Sequence, residues 1–351
     1  MRVLHVGKFF PPHRGGMEVV LADLITAQQR QGIEAYALVH GTPQPDDPAW
    51  LTRVPVQFNV TYAPIALGFR HALSRAIRQL RPDVLHLHMP NNSALWVLTL
   101  VCAHKVPWVV HWHSDVVVSK IRFTVALAYR LYRPFEQALL RRSARIIVTS
   151  PPYLQCSEPL RAWHDRCAVV PLGLGSAEAP PDTAAAGTTR WHHGALRLLS
   201  IGRLTYYKGF ETLIQAVASL PNVQLLIIGE GELRGQLQAL IDAAQPSDHP
   251  GKIRLLGNVD DEEKHALLDQ CDVFCLASRE RTEAFGIAIL EAMQHAKPCI
   301  VSDLEGSGMP WVVRTAGAGL LAPPEDVAAW QAAIVQMQND ATLRARTGHA
   351  G

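Results

Sequence analysis

Apolar and polar residues alternate in blocks along the first 150 residues of the chain. Short apolar runs occupy residues 2–6, 34–39, 83–88, 107–113 and 144–150. Segments with helical spacing separate several of these runs; one covers residues 16–32 and ends at Gly32, a common helix stop. This alternation predicts an α/β fold in which helices cover both faces of a parallel sheet.

The pattern breaks at residues 173–194, which are rich in alanine, glycine, proline and threonine and have no period. Apolar runs then resume at residues 195–202, 223–229, 252–257, 272–278 and 297–303. We therefore predict an N-terminal domain over 1–172, a linker over 173–194 and a C-terminal domain over 195–351. Ligands of open α/β sheets bind beyond the carboxyl ends of the strands, so the cleft expected between two such domains is the first place to look for a site.

Composition excludes several classes of protein. The 351 residues carry 33 Lys and Arg against 31 Asp and Glu, which argues against a nucleic-acid partner bound through overall charge. Six cysteines are scattered without a CxxC pair or zinc-ligand spacing, which suits a reducing compartment. No apolar run approaches the roughly 18 residues of a membrane-spanning helix. These features predict a cytoplasmic protein.

Two glycines stand where the first predicted strand leads into the first predicted helix. Gly15 and Gly16 open that helix after a proline-containing loop. Bare backbone N–H groups at the positive end of a helix dipole can bind phosphate. The alternative is an ordinary tight turn, since neither GxGxxG nor GxxxxGK[ST] is present.

Two cations follow the first strand of the second half. Arg203 and Lys208 lie between the run at 195–202 and the next predicted helix, in "IGRLTYYKGF". The planar donor fork of arginine and the point charge of lysine suit a diphosphate. The alternative is a pair of solvated loop cations.

Two glutamates in "EAFGIAILE" raise the question of a carboxylate pair. Glu283 lies at the start of a helix predicted over 285–295, and Glu291 lies about two turns into it. That spacing is too wide for two carboxylates sharing a proton. They could bind two parts of one extended ligand, such as the hydroxyls of a sugar and of a ribose; the alternative is one glutamate at the helix dipole and one in solvent.

Longer segments carry a family resemblance that covers essentially the whole chain. "RLTYYKGFETLIQA", "LLIIGEGEL", "EAFGIAILEAMQHAKPCIVSD" and "GLLAPPED" resemble the C-terminal half of family-4 retaining glycosyltransferases, and "FFPPHRGGMEVVLADL", "VVHWHSD" and "RIIVTSPPYL" resemble the N-terminal half. The resemblance implies the glycosyltransferase B fold, in which two Rossmann-like domains face each other across a cleft. Its most specific element is the pair of glutamates with the upstream arginine and lysine.

The resemblance also implies roles for individual residues. Arg203 and Lys208 would hold the donor diphosphate, and the backbone of Gly15 and Gly16 would add contacts to it. Glu291 would bind the ribose.

Donor-sugar binding would fall to a short segment and to one histidine. Glu283 would bind the donor sugar together with Ala284, Phe285 and Gly286. His113 would reach the same sugar from the N-terminal domain, with His111 as its neighbour two residues away. The resemblance thus points to His113 and Glu283 as the catalytic residues.

The family transfers hexoses with retention, is held to use front-face displacement, and usually needs no metal. The chain has no convincing DxD motif, so we expect neither metal nor cofactor beyond a nucleotide-sugar co-substrate. "HWHSD", "TSPPYL" and "GMPWV" resemble bacterial surface-polysaccharide mannosyltransferases, which favours GDP-mannose. UDP-glucose, UDP-N-acetylglucosamine and UDP-galactose remain alternative donors. An inactive nucleotide-sugar-binding relative is a further alternative, and an epimerase or phosphorylase of the same architecture is another.

Residues 119–145 suggest how the protein contacts the membrane and its acceptor. They interleave seven cations with four aromatics against one acid, Glu136. The cations are Lys120, Arg122, Arg130, Arg133, Arg141, Arg142 and Arg145, and the aromatics are Phe123, Tyr129, Tyr132 and Phe135. Such a stretch can lie on an anionic membrane. We hypothesise peripheral contact with the inner face of the cell membrane and a saccharide or lipid-linked acceptor; the alternative is a solvated helix pair.

The end of the chain departs from the family. Its members usually finish with a helix that crosses back to the N-terminal domain. This sequence stops at "LRARTGHAG", about where that helix would begin. We therefore expect the crossing helix to be missing.

Overall fold

The computed structural model describes residues 1–13, 15–60, 63–116, 123–175, 190–244 and 251–351, with no side chains over 123–128. The chain divides into two compact units, Met1–Gly175 and Ser176–Gly351. The division falls inside the predicted linker 173–194, most of which lies outside the described residues. The exact extent of that linker stays a prediction.

The N-terminal unit contains a parallel sheet. Its strands are β1 (Arg2–Val6), β2 (Glu34–His40), β3 (Leu51–Val54), β4 (Phe58–Val60), β5 (Ala63–Ile65), β6 (Val84–Met89), β7 (Trp108–Trp112), β8 (Arg145–Val148) and β9 (Cys167–Val169). Its helices are α1 (Gly16–Arg30), α2 (Phe69–Leu80), α3 (Phe123–Arg142) and α4 (Pro151–Cys156). Seven strands pair in parallel in the order β3-β2-β1-β6-β7-β8-β9, and β4 and β5 form a separate antiparallel hairpin.

The C-terminal unit repeats this layout. Its strands are β10 (Leu196–Ile201), β11 (Val223–Ile228), β12 (Ile253–Gly257), β13 (Val273–Leu276), β14 (Cys299–Ser302) and β15 (Gly319–Ala322). Its helices are α5 (Phe210–Ala218), α6 (Arg234–Ala244), α7 (Asp261–Gln270), α8 (Ile287–Gln294), α9 (Gly308–Ala316), α10 (Val327–Asn339) and α11 (Ala341–Ala350). All six strands are parallel, in the order β12-β11-β10-β13-β14-β15.

Burial on both faces explains why the strands are continuous apolar runs. Every residue of β11 is buried, and Phe210, Leu213 and Trp330 from the covering helices pack into the same core. Each large side chain buried in this way contributes about 1.5–3 kcal/mol relative to an exposed one. Several helices begin at a residue whose side chain caps the first turn. At the start of α7, for example, Asp260 accepts a hydrogen bond from the Glu263 backbone N–H at 2.7 Å.

The strand order reverses once in each sheet, and these reversals position the site residues. In the N-terminal unit the order turns between β1 and β6, and in the C-terminal unit between β10 and β13. Loops that leave adjacent strands in opposite directions at such a point open a crevice at the carboxyl ends. Gly15 follows β1, Lys208 follows β10, Glu283 follows β13, and His113 follows β7, the neighbour of β6.

The predicted α/β fold is confirmed, with small shifts at the element ends. Each of the ten predicted apolar runs overlaps a strand. The helix predicted over 285–295 begins at Ile287, because Gly286 takes a left-handed conformation (φ 80°) that stops the helix there. Glu291 is therefore one turn into α8 rather than two. The last helix, α11, contacts α10 and β15. No helix in the described ranges is long and apolar enough to span a bilayer.

Candidate active site

The loop after β10 brings a buried lysine to the carboxyl end of the sheet. Lys208 ends a 3-10 turn over Tyr206–Lys208 and is only 8% exposed, whereas Arg203 is exposed. Gly209 follows with a left-handed backbone (φ 63°), and a Cβ there would lie 2.1 Å from the carbonyl oxygen of Ala277. Only glycine therefore lets this loop lie against the end of β13.

Contacts between the loops after β10 and β13 fix Lys208 beside Glu283. Lys208 Nζ lies 2.5 Å from Glu283 Oε2, and both side chains are largely buried. The Tyr206 hydroxyl donates to a Glu280 carboxylate oxygen at 2.7 Å across the same pair of loops. The structure thus brings together two residues that are 75 positions apart in the sequence.

The carboxylate of Glu283 keeps the lysine charged. Burial lowers the pKa of Lys208, but attraction to Glu283 outweighs it, so that the pKa of Lys208 is raised above its ordinary value. The lysine is a fixed positive charge in a site shielded from water. Such a charge is suited to bind a phosphate group.

The main chain of residues 283–286 is held from the start of α9. The Ser307 hydroxyl donates to the carbonyl oxygen of Glu283 at 2.7 Å, and the Gly308 N–H donates to the carbonyl oxygen of Ala284 at 2.7 Å. The segment is therefore an ordered part of the site.

The end of this segment sets the start of α8. Phe285 is buried, with its ring centroid 6.5 Å from that of Trp311. A Cβ on Gly286 would lie 2.8 Å from Ile289 Cδ1, so the packing and the left-handed backbone both favour glycine there. No described side chain caps α8, and in its first turn the Ile289 N–H donates to the carbonyl oxygen of Gly286 at 2.8 Å.

Glu291, predicted to bind a ribose, is paired within its own domain. Lys264 of α7 donates to Glu291 Oε1 at 2.9 Å, and the two side chains are 19% and 16% exposed. Burial lowers the pKa of Lys264, but Glu291 more than compensates and the net pKa is raised. No sequence pattern pointed to Lys264, which lies in the acidic helix "DEEKHALLDQ".

The two glycines of the first loop start α1 as predicted. α1 begins at Gly16 with Gly15 as its N-cap, and no described side chain caps it. The buried Glu18 carboxylate lies against Gly15, where an added Cβ would stand 2.2 Å from Glu18 Oε2. A carboxylate of the protein thus lies at the helix end where a phosphate is expected to bind.

Five histidines form a cluster on one face of the N-terminal sheet. They are His5 on β1, His86 and His88 on β6, His111 on β7, and His113 just beyond it. Register pairs His5 with His86 and His88 with His111, and alternate residues of a strand share a face. All five are buried. The sequence analysis singled out only His111 and His113.

Three of these histidines form a hydrogen-bonded chain that starts on α1. Gln28 Oε1 lies 2.8 Å from His5 Nε2, His5 Nδ1 lies 3.1 Å from His88 Nε2, and His88 Nδ1 lies 2.9 Å from His113 Nε2. The backbone N–H of His113 donates to Met89 at 2.9 Å. His113 is therefore held through its ring and its main chain.

The other two histidines lie beside this chain. His86 Nε2 and both ring nitrogens of His111 have no hydrogen-bond partner among the described residues. The His111 ring stacks on that of His113, with centroids 4.1 Å apart and planes 16° apart. Burial lowers the pKa of His5 and of His111 to about 4 and that of the others well below the ordinary value, so the cluster is neutral at pH 7.

Metal coordination is the other chemistry that neutral histidines offer. Two triads, His5–His86–His88 and His88–His111–His113, have ligand nitrogens within 4.8 Å of one another. However, both nitrogens of His88 and Nε2 of His113 are used in hydrogen bonds. His88 belongs to both triads, so neither triad has three ligand nitrogens free of hydrogen bonds. The arrangement favours hydrogen bonding over metal binding.

Helix α3 combines a buried acid with an exposed apolar edge. Glu136 is fully buried and accepts a hydrogen bond from the Tyr129 hydroxyl at 3.0 Å; burial raises its pKa to about 7. Leu131 is 70% exposed and Phe135 57% exposed. Tyr129 therefore bonds to this buried acid, whereas Phe135 is exposed.

The structure describes some of the other predicted basic and aromatic residues of 119–145 and not others. Lys120 and Arg122 lie outside the described residues, as does the side chain of Phe123. Arg133 forms an ion pair with Glu158. The guanidinium of Arg142 lies 5.2 Å from the ring centroid of Trp108.

Comparison with protein families matches both units. Residues 15–173 match the glycosyl transferase 4-like domain, and residues 188–351 match the glycosyl transferases group 1.

Curated relatives are similar over nearly the whole chain. The D-rhamnosyltransferase WbpZ of Pseudomonas aeruginosa is 30% identical over 95% of this chain and 86% of its own length. The O-antigen chain mannosyltransferase C of Escherichia coli is 28% identical over 99% and 91%. The phosphatidyl-myo-inositol mannosyltransferase of Mycolicibacterium smegmatis is 28% identical over 94% and 83%.

Solved structures share the fold at lower identity. The sucrose-phosphate synthase of Thermosynechococcus elongatus superposes with a TM-score of 0.77 at 20% identity, covering 99% of this chain and 92% of that one. The Anabaena protein HepE, solved with UDP and glucose, gives 0.74 at 19% identity over 99% and 92%. The family resemblance and the fold expected from it are confirmed: the chain belongs to the group 1 glycosyl transferases and has their two Rossmann-like domains.

Proposed function

We propose that this glycosyltransferase is a retaining, metal-independent hexosyltransferase. It moves a hexose from a nucleotide-diphosphate sugar, GDP-mannose in the first instance, to a saccharide or lipid-linked acceptor in polysaccharide or glycolipid biosynthesis. The buried Lys208–Glu283 ion pair at the strand-order reversal of the C-terminal sheet carries this proposal. The mannosyl- and rhamnosyltransferases among the relatives support the sugar class, and HepE with bound UDP and glucose supports a nucleotide-sugar donor.

Charge governs the proposed binding of the diphosphate. Lys208 exchanges its partner Glu283 for a phosphate oxygen, and the exposed Arg203 adds its donor fork from the same loop. Backbone N–H groups at Gly15 and Gly16 add contacts once Glu18 gives way. Arg203 and Lys208 thus supply the positive charge that a metal ion supplies elsewhere.

Glutamates and a histidine bind the rest of the donor in this proposal. Glu283, once released from Lys208, accepts hydrogen bonds from the sugar hydroxyls, and the adjoining 284–286 main chain lines the same position. Glu291 binds the ribose in exchange for its bond to Lys264. His113 offers a ring nitrogen to the donor sugar.

The proposed transfer step retains the configuration of the sugar without a covalent protein intermediate. The bond from the anomeric carbon to the diphosphate oxygen breaks, and the acceptor oxygen bonds to the same face of the carbon. The acceptor proton passes to the departing diphosphate. Lys208 and Arg203 stabilise the negative charge that develops on the leaving group.

Calorimetric titration with GDP-mannose, UDP-glucose, UDP-N-acetylglucosamine and UDP-galactose tests the donor. We expect GDP-mannose to bind most tightly and binding to persist in EDTA. Arg203→Ala should weaken binding by about 1.5–3 kcal/mol, the usual contribution of a charge-assisted hydrogen bond. Arg314→Ala is the matched control, because Arg314 pairs with Asp303 on the surface of the same unit. If no nucleotide sugar or free nucleotide binds, the proposal is wrong; binding without transfer to any acceptor would identify an inactive relative.

We further propose that α3 contacts anionic phospholipid through its exposed edge. Leu131 and Phe135 supply apolar area, and Arg130 beside them is exposed. Co-sedimentation with phosphatidylserine vesicles should show binding at low salt that weakens at high salt.

A double variant tests the edge directly. Leu131→Ser/Phe135→Ser should reduce vesicle binding at least about tenfold, since each side chain buries area worth more than 1 kcal/mol. Val101→Ser, at a residue 77% exposed elsewhere in the unit, should leave vesicle binding unchanged. Failure of the protein to bind the vesicles at low salt would rule out this contact.

A further inference from the structure

The hydrogen-bonded chain to His113 is continuous from the surface helix α1 to the end of β7. Its members are Gln28, His5, His88 and His113, with heavy-atom separations of 2.8, 3.1 and 2.9 Å. His5 and His88 each use both ring nitrogens. A neutral imidazole has one donor and one acceptor nitrogen, so the chain has a direction.

Gln28 sets that direction. The atom facing His5 is Oε1, which can only accept, so His5 carries its proton on Nε2 and presents a lone pair at Nδ1. That lone pair accepts from Nε2–H of His88, whose Nδ1 in turn accepts from Nε2–H of His113. The remaining nitrogen of His113, Nδ1, then carries a lone pair and has no partner among the described residues.

We propose that Gln28, His5 and His88 are positioning residues that fix the tautomer of His113, so that Nδ1 accepts a hydrogen bond from a hydroxyl of the donor sugar. The use of this nitrogen by a sugar rests on the proposed function; the tautomer does not. An acceptor there draws the hydroxyl proton toward itself and leaves partial negative charge on the sugar oxygen. That charge favours the positive character that the sugar gains as its bond to the diphosphate breaks.

Burial is what makes the tautomer a fixed property. The residues His5, His88 and His113 are 0%, 1% and 7% exposed, and burial lowers the pKa of each below its ordinary value. To change tautomer, His5 and His88 would each have to break two hydrogen bonds in a site shielded from water, and His113 is bonded to His88. His86 serves as a matched control, because it is buried on the same face and lies outside the chain.

Nitrogen NMR of histidine-labelled, unliganded protein at pH 7.5 reads the tautomers directly. His113→Gln assigns the resonances of His113. We expect His5, His88 and His113 to be protonated at Nε2 in the wild-type protein. Gln28→Glu, which can only accept, should keep all three tautomers, and Gln28→Lys, which can only donate, should reverse them. His86→Phe should leave the tautomer of His113 unchanged.

Two outcomes overturn the proposal. One is a wild-type His113 protonated at Nδ1; the other is an unchanged tautomer of His113 in folded Gln28→Lys, with folding checked by a thermal melt. If Gln28→Lys does not fold, Gln28→Leu is used instead. A single, unchanged tautomer of His113 in Gln28→Leu would also overturn the proposal.

Kinetics supply an independent readout. Gln28→Lys should lower kcat at least about tenfold with little change in KM for the donor, since a misplaced imidazole proton impairs catalysis while geometry is kept. Gln28→Glu should restore kcat. If the tautomers change with substitutions at Gln28 but the protein binds no nucleotide sugar, the proposed function is wrong. The positioning role of Gln28, His5 and His88 is then still supported.

Discussion

Lys208→Ala is expected to lower the free energy of unfolding of the C-terminal unit by about 3–5 kcal/mol, the cost of removing one partner from a buried ion pair. Glu283 is only 14% exposed, so removing the lysine 2.5 Å away leaves a largely buried carboxyl group without its charged partner. Urea unfolding followed by tryptophan fluorescence measures this loss. The affinity for the nucleotide sugar should also fall, because the variant lacks the buried Lys208 charge that is proposed to bind the phosphate.

Two variants make the interpretation specific. Arg314→Ala breaks an ion pair whose side chains are 57% and 41% exposed, and should cost no more than about 1 kcal/mol. Lys208→Met/Glu283→Gln removes both charges and should recover most of the stability, although not the binding. A loss for Lys208→Ala no larger than that for Arg314→Ala would show that the pair is not effectively buried.

The N-terminal unit is expected to lose stability steeply as the pH falls below 6.5. The pKa values of His5 and His111 are lowered by burial from 6.5 to about 4, so between these values the unfolded chain binds protons that the folded chain does not. The folded state is therefore most stable above pH 6.5. As the pH falls to 4, each histidine lowers the free energy of unfolding by about 3 kcal/mol. Two such losses approach the whole stability of a typical domain, about 5–15 kcal/mol.

Urea midpoints measured at several pH values between 7 and 4.5 check this expectation. His111→Phe should reduce the slope by about 1.4 kcal/mol per pH unit, since one titrating group disappears. It should also stabilise the protein at pH 7, because neither ring nitrogen of His111 has a partner in the described structure. The exposed His71→Phe is the control. A stability that is flat from pH 7 to 5 would contradict the role given to the cluster.

The sequence predicted the elements that are long and buried. Every residue of β11 is buried, and five of its six residues are apolar, because helices cover both its faces. Five strands were missed: β3, β9 and β15, which have three or four residues at the edge of a sheet, and β4 and β5, which form the separate hairpin. For edge strands of this length, neighbours in space decide the structure more than local pattern does.

The candidate site shows the same division. Spacing and resemblance pointed to Lys208 and Glu283, but their pairing depends on β10 lying beside β13, which no local pattern encodes. His5 and His88 escaped notice because each stands in an ordinary apolar run. Only the register of three neighbouring strands reveals that they lie in a chain with His113.

Gly209 has a consequence for interpreting related sequences. Its left-handed backbone and its approach to Ala277 leave no room for a side chain, so the loop geometry that buries Lys208 requires both residues in succession. The feature to look for in related sequences is therefore the dipeptide Lys-Gly rather than the lysine alone. Its lysine stands six residues after Gly202, the glycine that follows β10. A relative that keeps the lysine but replaces the glycine would have the positive charge but not the loop conformation that buries it beside Glu283.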